Sequence, residues 1–545
     1  MQTTPVKMIQ HHQKKIFKAM EKPDFYPHAV AAVDQCETHI SKVFLTGKYA
    51  YKIKKPVYLE FLDFTNLAKR RHYCNRELTL NSRLTTGIYL DVVPITLTNE
   101  QYYLAGPGEP VEYAVKMRQL PDKLSMLQQL RRGGKLCKDA IDELAQVLVK
   151  FYKHSPTGET INSIGGWSTI RTNTEENFSQ TEQFAGNFID AHMFQIIRAA
   201  TRSFLIRHKA LFDRRVEQGK IRDCHGDLRT EHIYFSDGIQ IIDCIEFNDR
   251  FRYSDIASDL AFLTMDLDYQ GYPHVAKQLI SSCLHYTEDE EMLVLLDFYK
   301  CYRAYVRAKV DCFYLQAADP AGNIRVELLR EIRRYLNIAY RYAVQYTRPT
   351  VWVICGLPAA GKTTVAKMLA KIFSLVILRS DVVRKELFNL SPVESQDLPF
   401  EEGIYSKEAS ALVYGKLLMQ AQEEIKKGGS IILDATFSRC HQRDEALRLA
   451  RDLDANIIFV ECMASNETLK KRLSIRDSSR TISDARLRHF QKFRARFEPI
   501  TDLPEEMHIR INTEILLKKS LRQLLSHDYV MLSQQTAVAM EGRAI

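Results

Sequence analysis

One stretch of this sequence restricts the fold more than any other. Gly356-Leu357-Pro358-Ala359-Ala360-Gly361-Lys362-Thr363 fits the pattern G-x-x-x-x-G-K-[ST]. It follows a short apolar run over 351–355 and precedes a helical pattern over 363–373. A short apolar run of that kind reads as a buried strand, so the glycine loop joins a strand to a helix. There the glycines let backbone N–H groups curl around phosphate oxygens, and the helix N-terminus adds partial positive charge. Lys362 would reach the β- and γ-phosphates, the Thr363 hydroxyl would bind Mg2+, and Thr364 completes the phosphate-binding segment. This segment is therefore expected to hold ATP or GTP with magnesium.

Beyond the loop, apolar runs alternate with helical patterns. Strands are expected at 375–378, 430–433 and 456–461, and helices at 402–427, 441–452, 467–476 and 483–497. That alternation predicts a parallel sheet with helices on both faces. Upstream, the helical pattern over 325–345 stops before Arg348-Pro349-Thr350, and Pro349 bars its continuation. The expected division is 1–347, 348–530 and a loose tail over 531–545.

Three features near the loop suggest chemistry. Asp381, in Arg379-Ser380-Asp381, stands at the end of the second strand, on the ligand edge of such a sheet. It could take a proton from an attacking hydroxyl. The first and second strands of such a sheet are expected to flank the phosphate site, which would face the carboxylate to the γ-phosphate. Arg384, one helical turn on, could hold Asp381 or an anionic substrate. The bland alternative is that Ser380 or Asp381 caps a helix. Ile431-Ile432-Leu433-Asp434 is an apolar strand ending in Asp, a Walker-B-like pattern that makes Asp434 a metal candidate beside Thr363. Arg472, Arg476 and Arg480 recur every four residues and would share a helix face. They would close over the phosphates, or else form a solvated charged face.

The first half reads differently. Short strands dominate up to Gln119, at 43–45, 49–53, 92–95, 102–105 and 111–117, with one helix over 67–80. From Asp139 the chain is mostly helical, apart from 233–235 and 239–243. A β-rich small lobe followed by a helical large lobe is a two-lobe arrangement. The large lobe carries Cys224-His225-Gly226-Asp227-Leu228-Arg229-Thr230-Glu231-His232 and, after a hairpin, Asp243. Two acidic groups so placed suit a kinase-type site, one orienting a hydroxyl nucleophile and one holding Mg2+. Lys52 on a strand could bind phosphate, and Glu77 on the next helix could pair with it. Lys54 lies two residues on and shares the face of Lys52.

Each half resembles a known family. Residues 351–515 resemble the zeta-toxin-like branch of small P-loop kinases, which includes chloramphenicol phosphotransferases and polynucleotide 5′-kinases. The resemblance rests on GLPAAGKT, SDVVRKEL, IILDAT, KKRLSIRDSSR and Phe497-Glu498-Pro499. It implies Asp381 as the base, Arg384 and Asp434 at the acceptor, and a mobile lid carrying Arg472 and Arg476. Residues 30–320 resemble the aminoglycoside phosphotransferase and protein-kinase-like fold, in the form bacteria often fuse to a P-loop kinase. That rests on TGKYAYKIKKP, HGDLRTEHIYF, IIDCIEFNDRFRYSDIASDLAFL and YRAYVRAK. It implies Asp227 as the catalytic Asp, Asp243 as the metal Asp, and Asp255 and Asp259 as braces of the catalytic loop. The family's metal-binding Asn is His232 here, and imidazole suits softer metals than Mg2+. No G-x-G-x-x-G precedes Lys52.

Composition narrows the setting. The net charge of +9 over 545 residues is mild and does not argue for nucleic acid. Eleven cysteines are scattered without a C-x-x-C pair, which suggests neither a zinc ribbon nor a disulfide framework. No apolar signal segment occurs in 1–22 and no run of 18 apolar residues occurs anywhere, so a cytoplasmic protein without membrane association is expected. The fold class is α/β and α+β: a two-lobe kinase-like domain, then a P-loop NTPase domain whose parallel sheet is flanked by helices. The expected activity is transfer of a γ-phosphoryl group to a hydroxyl of a small molecule. One rival is a P-loop kinase regulated by a degenerate, ligand-sensing N-terminal half; another is a polynucleotide 5′-OH kinase.

Overall fold

A computed structural model describes residues 4–59, 62–133, 136–318, 320, 322–373, 375–391, 399–477, 483–515 and 524. The tail over 531–545 and Arg480 lie outside the described residues. The chain forms two compact units, one of Met1–Asn173 and Arg215–Glu288, the other of Thr174–Arg214 and Asp289–Ile545. All eleven cysteines are free. Among the described residues no helix is long and apolar enough to cross a membrane.

The strands of the first unit begin with β1 (Asp34–Glu37), β2 (Ser41–Leu45), β3 (Tyr49–Lys54), β4 (Tyr58–Leu59) and β5 (Leu62–Asp63). β6 (Tyr89–Thr98), β7 (Gln101–Leu104) and β8 (Glu109–Arg118) follow the helix Leu67–Asn81. Six of them form an antiparallel sheet in the order β1-β2-β3-β8-β6-β7, while β4 and β5 pair as a separate hairpin. Alternation along β3 decides which side chain meets which layer. Tyr51 and Ile53 pack with Phe44, Ile95 and the helix residues Ile16 and Met20. Ala50 packs on the opposite side with Cys74, Val115 and Met117. Lys52 and Lys54 have the parity of Ala50, so both reach toward the helix that carries Glu77.

The rest of this unit is helical apart from two short pairs. β9 (Ile221–Asp223), β10 (Ile233–Phe235), β11 (Ile239–Ile241) and β12 (Tyr253–Asp255) frame the Cys224–His232 segment. β10 pairs with β11, and β12 returns to pair with β9. Neither β9 nor β12 is evident in the sequence, being three residues long with Arg and Asp among them.

In the second unit β13 (Thr350–Cys355), β14 (Val376–Arg379), β15 (Ile431–Asp434), β16 (Asn456–Met463) and β17 (His508–Asn512) form one sheet. Every pairing in it is parallel, in the order β14-β15-β13-β16-β17. Helices cover both faces, which is why its strands read as continuous apolar runs. Trp352 and Ile354 pack against Val365, Leu369, Leu469 and Leu473. Val351, Val353 and Cys355 pack against Val413, Leu417, Ala446 and Ala450 on the other face. β15 lies between β13 and β14. Two helices are shorter than expected. One runs over Lys407–Lys426 behind a 3-10 turn at Gly403–Tyr405, and another over Phe490–Arg496. Arg472 and Arg476 share the helix Asn466–Asp477.

Candidate functional site

The phosphate loop leaves β13 through Gly356, whose φ is +123°. A Cβ there would lie 2.5 Å from the Cys462 carbonyl oxygen, so only glycine fits against β16. Gly361, at φ +92°, ends the loop where the helix Lys362–Phe373 begins. Lys362 Nζ donates to the carbonyls of Gly356 at 3.0 Å and Leu357 at 2.9 Å, which spans the ammonium across the loop. Its pKa is lowered from the ordinary lysine value by burial, against the opposing charges of Asp434 and Asp381.

Next to the lysine, Thr363 Oγ1 donates to Asp434 Oδ2 at 2.7 Å. Asp434 ends β15, the strand next to β13, so the hydroxyl and carboxylate meet because of sheet order. Two hard oxygen donors side by side fit Mg2+, which favours such ligands. Arg379, at the end of β14, completes this cluster: Nε is 3.2 Å from Asp434 Oδ2 and Nη2 is 3.4 Å from Thr363 Oγ1. Sequence reasoning passed over Arg379, although its place directly before Ser380-Asp381 at a strand end was a usable signal.

Asp381 lies in the first turn of the helix Ser380–Leu387, and the N-cap residue is Arg379, with no side-chain capping bond. Asp381 makes no hydrogen bond or ion pair among the described residues, and it lines the cavity above the loop. That cavity has a volume of about 410 Å³ and is also lined by Lys362, Thr363, Asp434, Arg384 and Arg476. Burial lowers the Arg476 pKa, while the Asp381 charge works the other way. Asp381 also raises the Tyr405 pKa, a shift due first to burial. Tyr405 donates to Asp484 Oδ2 at 2.7 Å, linking the segment before helix 407–426 to the segment before Phe490.

Arg472 differs from its neighbour in what it touches. Its guanidinium donates to Ala359 O at 3.2 Å, Thr513 Oγ1 at 3.0 Å and Thr513 O at 3.0 Å. Thr513 in turn donates to Ala360 O at 2.8 Å. Arg472 thus braces the outer side of the phosphate loop against the end of β17. Neither Thr513 nor β17 was apparent from sequence.

The first unit gathers a second set of groups. Lys52 Nζ lies 2.9 Å from Glu77 and also donates to Asp243; Lys54 Nζ lies 2.7 Å from Glu77 and also donates to Glu246. Burial lowers the tendency of Lys52 to hold its proton, but Asp243 and Glu77 outweigh it and the pKa stands well above the ordinary lysine value. Burial opposes ionisation of Asp243, yet Lys52 and His232 hold its pKa below the carboxylate range. Glu246, a partner of Lys54, was not foreseen.

Asp259 accepts from His225 N at 2.9 Å and Gly226 N at 2.8 Å, bracing the loop that presents Asp227. Asp255 does a different job from the expected one. It accepts two bonds from the buried Arg215, at 2.8 and 2.7 Å, and caps the helix Ile256–Tyr269. Asp266, unforeseen, holds the loop through Thr230 N at 2.8 Å and Thr230 Oγ1 at 2.6 Å. Asp227 itself is gripped by Arg229, with Nε and Nη2 each 3.2 Å from a different carboxylate oxygen. His232 turns Nδ1 to Asp227 O at 2.8 Å. Its Nε2 lies 3.7 Å from Asp243 and 3.4 Å from Arg229 Nη2. A guanidinium facing that nitrogen opposes a metal ion on it, whereas the Asp243 oxygens are suitable donors.

The family model for an AAA domain matches residues 351–500. A Mycobacterium tuberculosis protein described as uncharacterized protein Rv2004c is 30% identical over 445 residues, covering 82% of this chain and 86% of the relative. A choline/ethanolamine kinase family protein from Mesorhizobium loti covers 61% of this chain and 98% of its own at 12% identity, TM-score 0.36. A gluconokinase from Sinorhizobium meliloti 1021 covers 36% of this chain and 98% of its own at 13% identity, TM-score 0.26.

Proposed function

This chain belongs to the same family as the mycobacterial relative, as a fusion of an aminoglycoside phosphotransferase-like, kinase-like domain with a P-loop kinase domain, and from that premise we propose a small-molecule kinase whose working site is the P-loop cavity. ATP or GTP is the donor and a hydroxyl group the acceptor. On this reading the kinase-like part of the sequence ends at 347/348, although the compact unit that holds the P-loop also takes in Thr174–Arg214 and the chain from Asp289 onward, and the protein works in the cytoplasm. The observation that carries the reading is the meeting of Thr363 and Asp434 at 2.7 Å on the floor of the cavity that Asp381 overlooks.

The roles follow from this geometry. Loop amides and Lys362 hold the β- and γ-phosphates, and Arg476 offsets charge on the transferring group. Thr363 and Asp434 would hold Mg2+, which neutralises phosphate charge when bound. Asp381 accepts the proton of the acceptor hydroxyl as its oxygen bonds to phosphorus. The bond from that phosphorus to the β,γ-bridging oxygen breaks, and the electron pair leaves with the nucleoside diphosphate. The test is nucleotide consumption by the full chain against hydroxyl-bearing metabolites, antibiotics and 5′-OH oligonucleotides. Lys362→Ala should abolish the turnover, because the charge on the β/γ-phosphates is lost. Unchanged turnover in the folded variant would refute the assignment. Oligonucleotide acceptors would stand out by a steep salt dependence.

A second reading concerns the first unit, and a specific observation favours it. Arg229 grips both oxygens of Asp227, so the group that should receive a proton is already engaged. On this reading the N-terminal half senses a ligand and controls the P-loop half. Asp227→Asn should then leave total phosphoryl transfer nearly unaltered, while Asp243→Asn weakens metal–nucleotide binding to that half. A loss of transfer of 100-fold or more, roughly the scale of a missing base, in Asp227→Asn alone would make it a second kinase site.

A further inference from the structure

We propose that the acceptor carries a compact anionic group, a carboxylate or a phosphate monoester, and that Arg384 receives it. The inference rests on the reading of the P-loop cavity as a phosphoryl-transfer site and names the acceptor's chemical class.

Arg384 is 6% exposed and lines the cavity. Its Nη1 donates to Ile404 O at 2.5 Å and its guanidinium stacks on the Tyr405 ring at 4.8 Å. Its Nε is buried without a hydrogen-bond partner. It forms no ion pair among the described residues. Four other deeply buried arginines behave differently. Arg70 is paired with Glu112, Arg215 with Asp255, Arg252 with Asp223 and Arg443 with Asp502. A guanidinium removed from water without a counter-charge is costly, and one backbone carbonyl cannot satisfy five donors. An oxyanion from solution supplies what the described residues leave out, and the planar fork of Arg suits its geometry.

Two further features place the anion. Arg496 also lines this part of the cavity, paired with Glu401 at 2.8 Å but with its own Nε unpartnered. The charges of Arg384 and Arg496 both bear on the Tyr414 hydroxyl, so they surround one region. Asp381 stands three residues before Arg384 on one helix, and side chains so spaced lie about 5–6 Å apart at Cβ. An acceptor that presents a hydroxyl to Asp381 and an anion to Arg384 therefore has the two groups a few bonds apart. During transfer the anion stays bound and takes no part in bond making.

The test uses the full chain and matched acceptors: glycerol, glycerate and glycerol 3-phosphate, then ribose and ribose 5-phosphate. Anionic members should exceed neutral ones in kcat/KM by about 10–100-fold, the scale of a charge-assisted hydrogen-bond pair. Glycerate against glycerol 3-phosphate tells carboxylate from phosphate. Arg384→Gln should collapse the preference mainly through KM, and Arg384→Lys should restore part of it, which a merely structural arginine would not do. Phosphorylation of neutral members with no anionic preference, or a preference intact in Arg384→Gln, overturns the inference while the kinase reading stands. If no member is phosphorylated, the kinase reading fails for these skeletons. Calorimetric binding of glycerol 3-phosphate to the chain filled with a non-hydrolysable ATP analogue then decides. Binding weakened about 10-fold or more by Arg384→Gln supports the anion site, and binding indifferent to that change overturns it.

Discussion

Replacing Asp381 by Asn removes a charge and a proton acceptor while leaving side-chain size unchanged. The structure separates the two consequences. Asp381 is in the first turn of the helix Ser380–Leu387 but makes no capping bond, and that role falls to no side chain there. Its structural share is thus a charge–dipole interaction, about 0.3–1 kcal/mol. In a domain of this size that lowers Tm by a few degrees, about 4 °C at most. Its catalytic share should be larger. A positioned base contributes about 10²–10⁴-fold, or about 2.7–5.4 kcal/mol at 1.36 kcal/mol per tenfold. The nucleotide is held by loop amides, Lys362 and the Thr363–Asp434 pair, so its Kd should move by no more than a few-fold. Steady-state nucleoside diphosphate release at saturating acceptor, nucleotide titration and thermal melting measure the three quantities. Full kcat in Asp381→Asn would refute the base assignment, as would a nucleotide Kd that worsens in step with kcat.

Two stability predictions come from buried groups elsewhere. Asp259 accepts from His225 N at 2.9 Å, Gly226 N at 2.8 Å and Tyr152 at 3.2 Å. Asp259→Ala orphans three buried donors at about 1–3 kcal/mol each; denaturant unfolding should show a loss of at least about 3 kcal/mol, and a loss under about 1 kcal/mol would contradict the bracing role. Burial lowers the His208 pKa to about 4 from 6.5, so between those values the unfolded chain binds a proton that the folded chain does not. Stability from this group is intact above about 6.5 and falls as pH drops toward about 4, by up to about 3 kcal/mol. His208→Phe should flatten the melting temperature across that window relative to the parent chain, and identical pH slopes would show that His208 is not the cause.

What the sequence determined by itself was local. The phosphate loop uses contiguous backbone between one strand and one helix, so its whole signal lies in residues 351–373. Most strands of the small lobe and of the parallel sheet were legible for the same reason, since apolar parity and run length are properties of neighbours in sequence. Parity even showed that Lys52 and Lys54 share a face, because strand side chains alternate strictly. It could not show that both reach Glu77 and that Lys54 also takes Glu246, 192 positions away. The tertiary structure decided every pairing of that kind. It inserted β15 between β13 and β14, which brings Asp434 to Thr363 and Arg379 to both. It added β17, whose end gives Arg472 a partner in Thr513. It turned Asp255 toward Arg215 and left Arg384 buried with no ion pair among the described residues. Crossover connections choose strand neighbours by how helices pack on the two faces of a sheet, and that choice leaves no mark at any single residue.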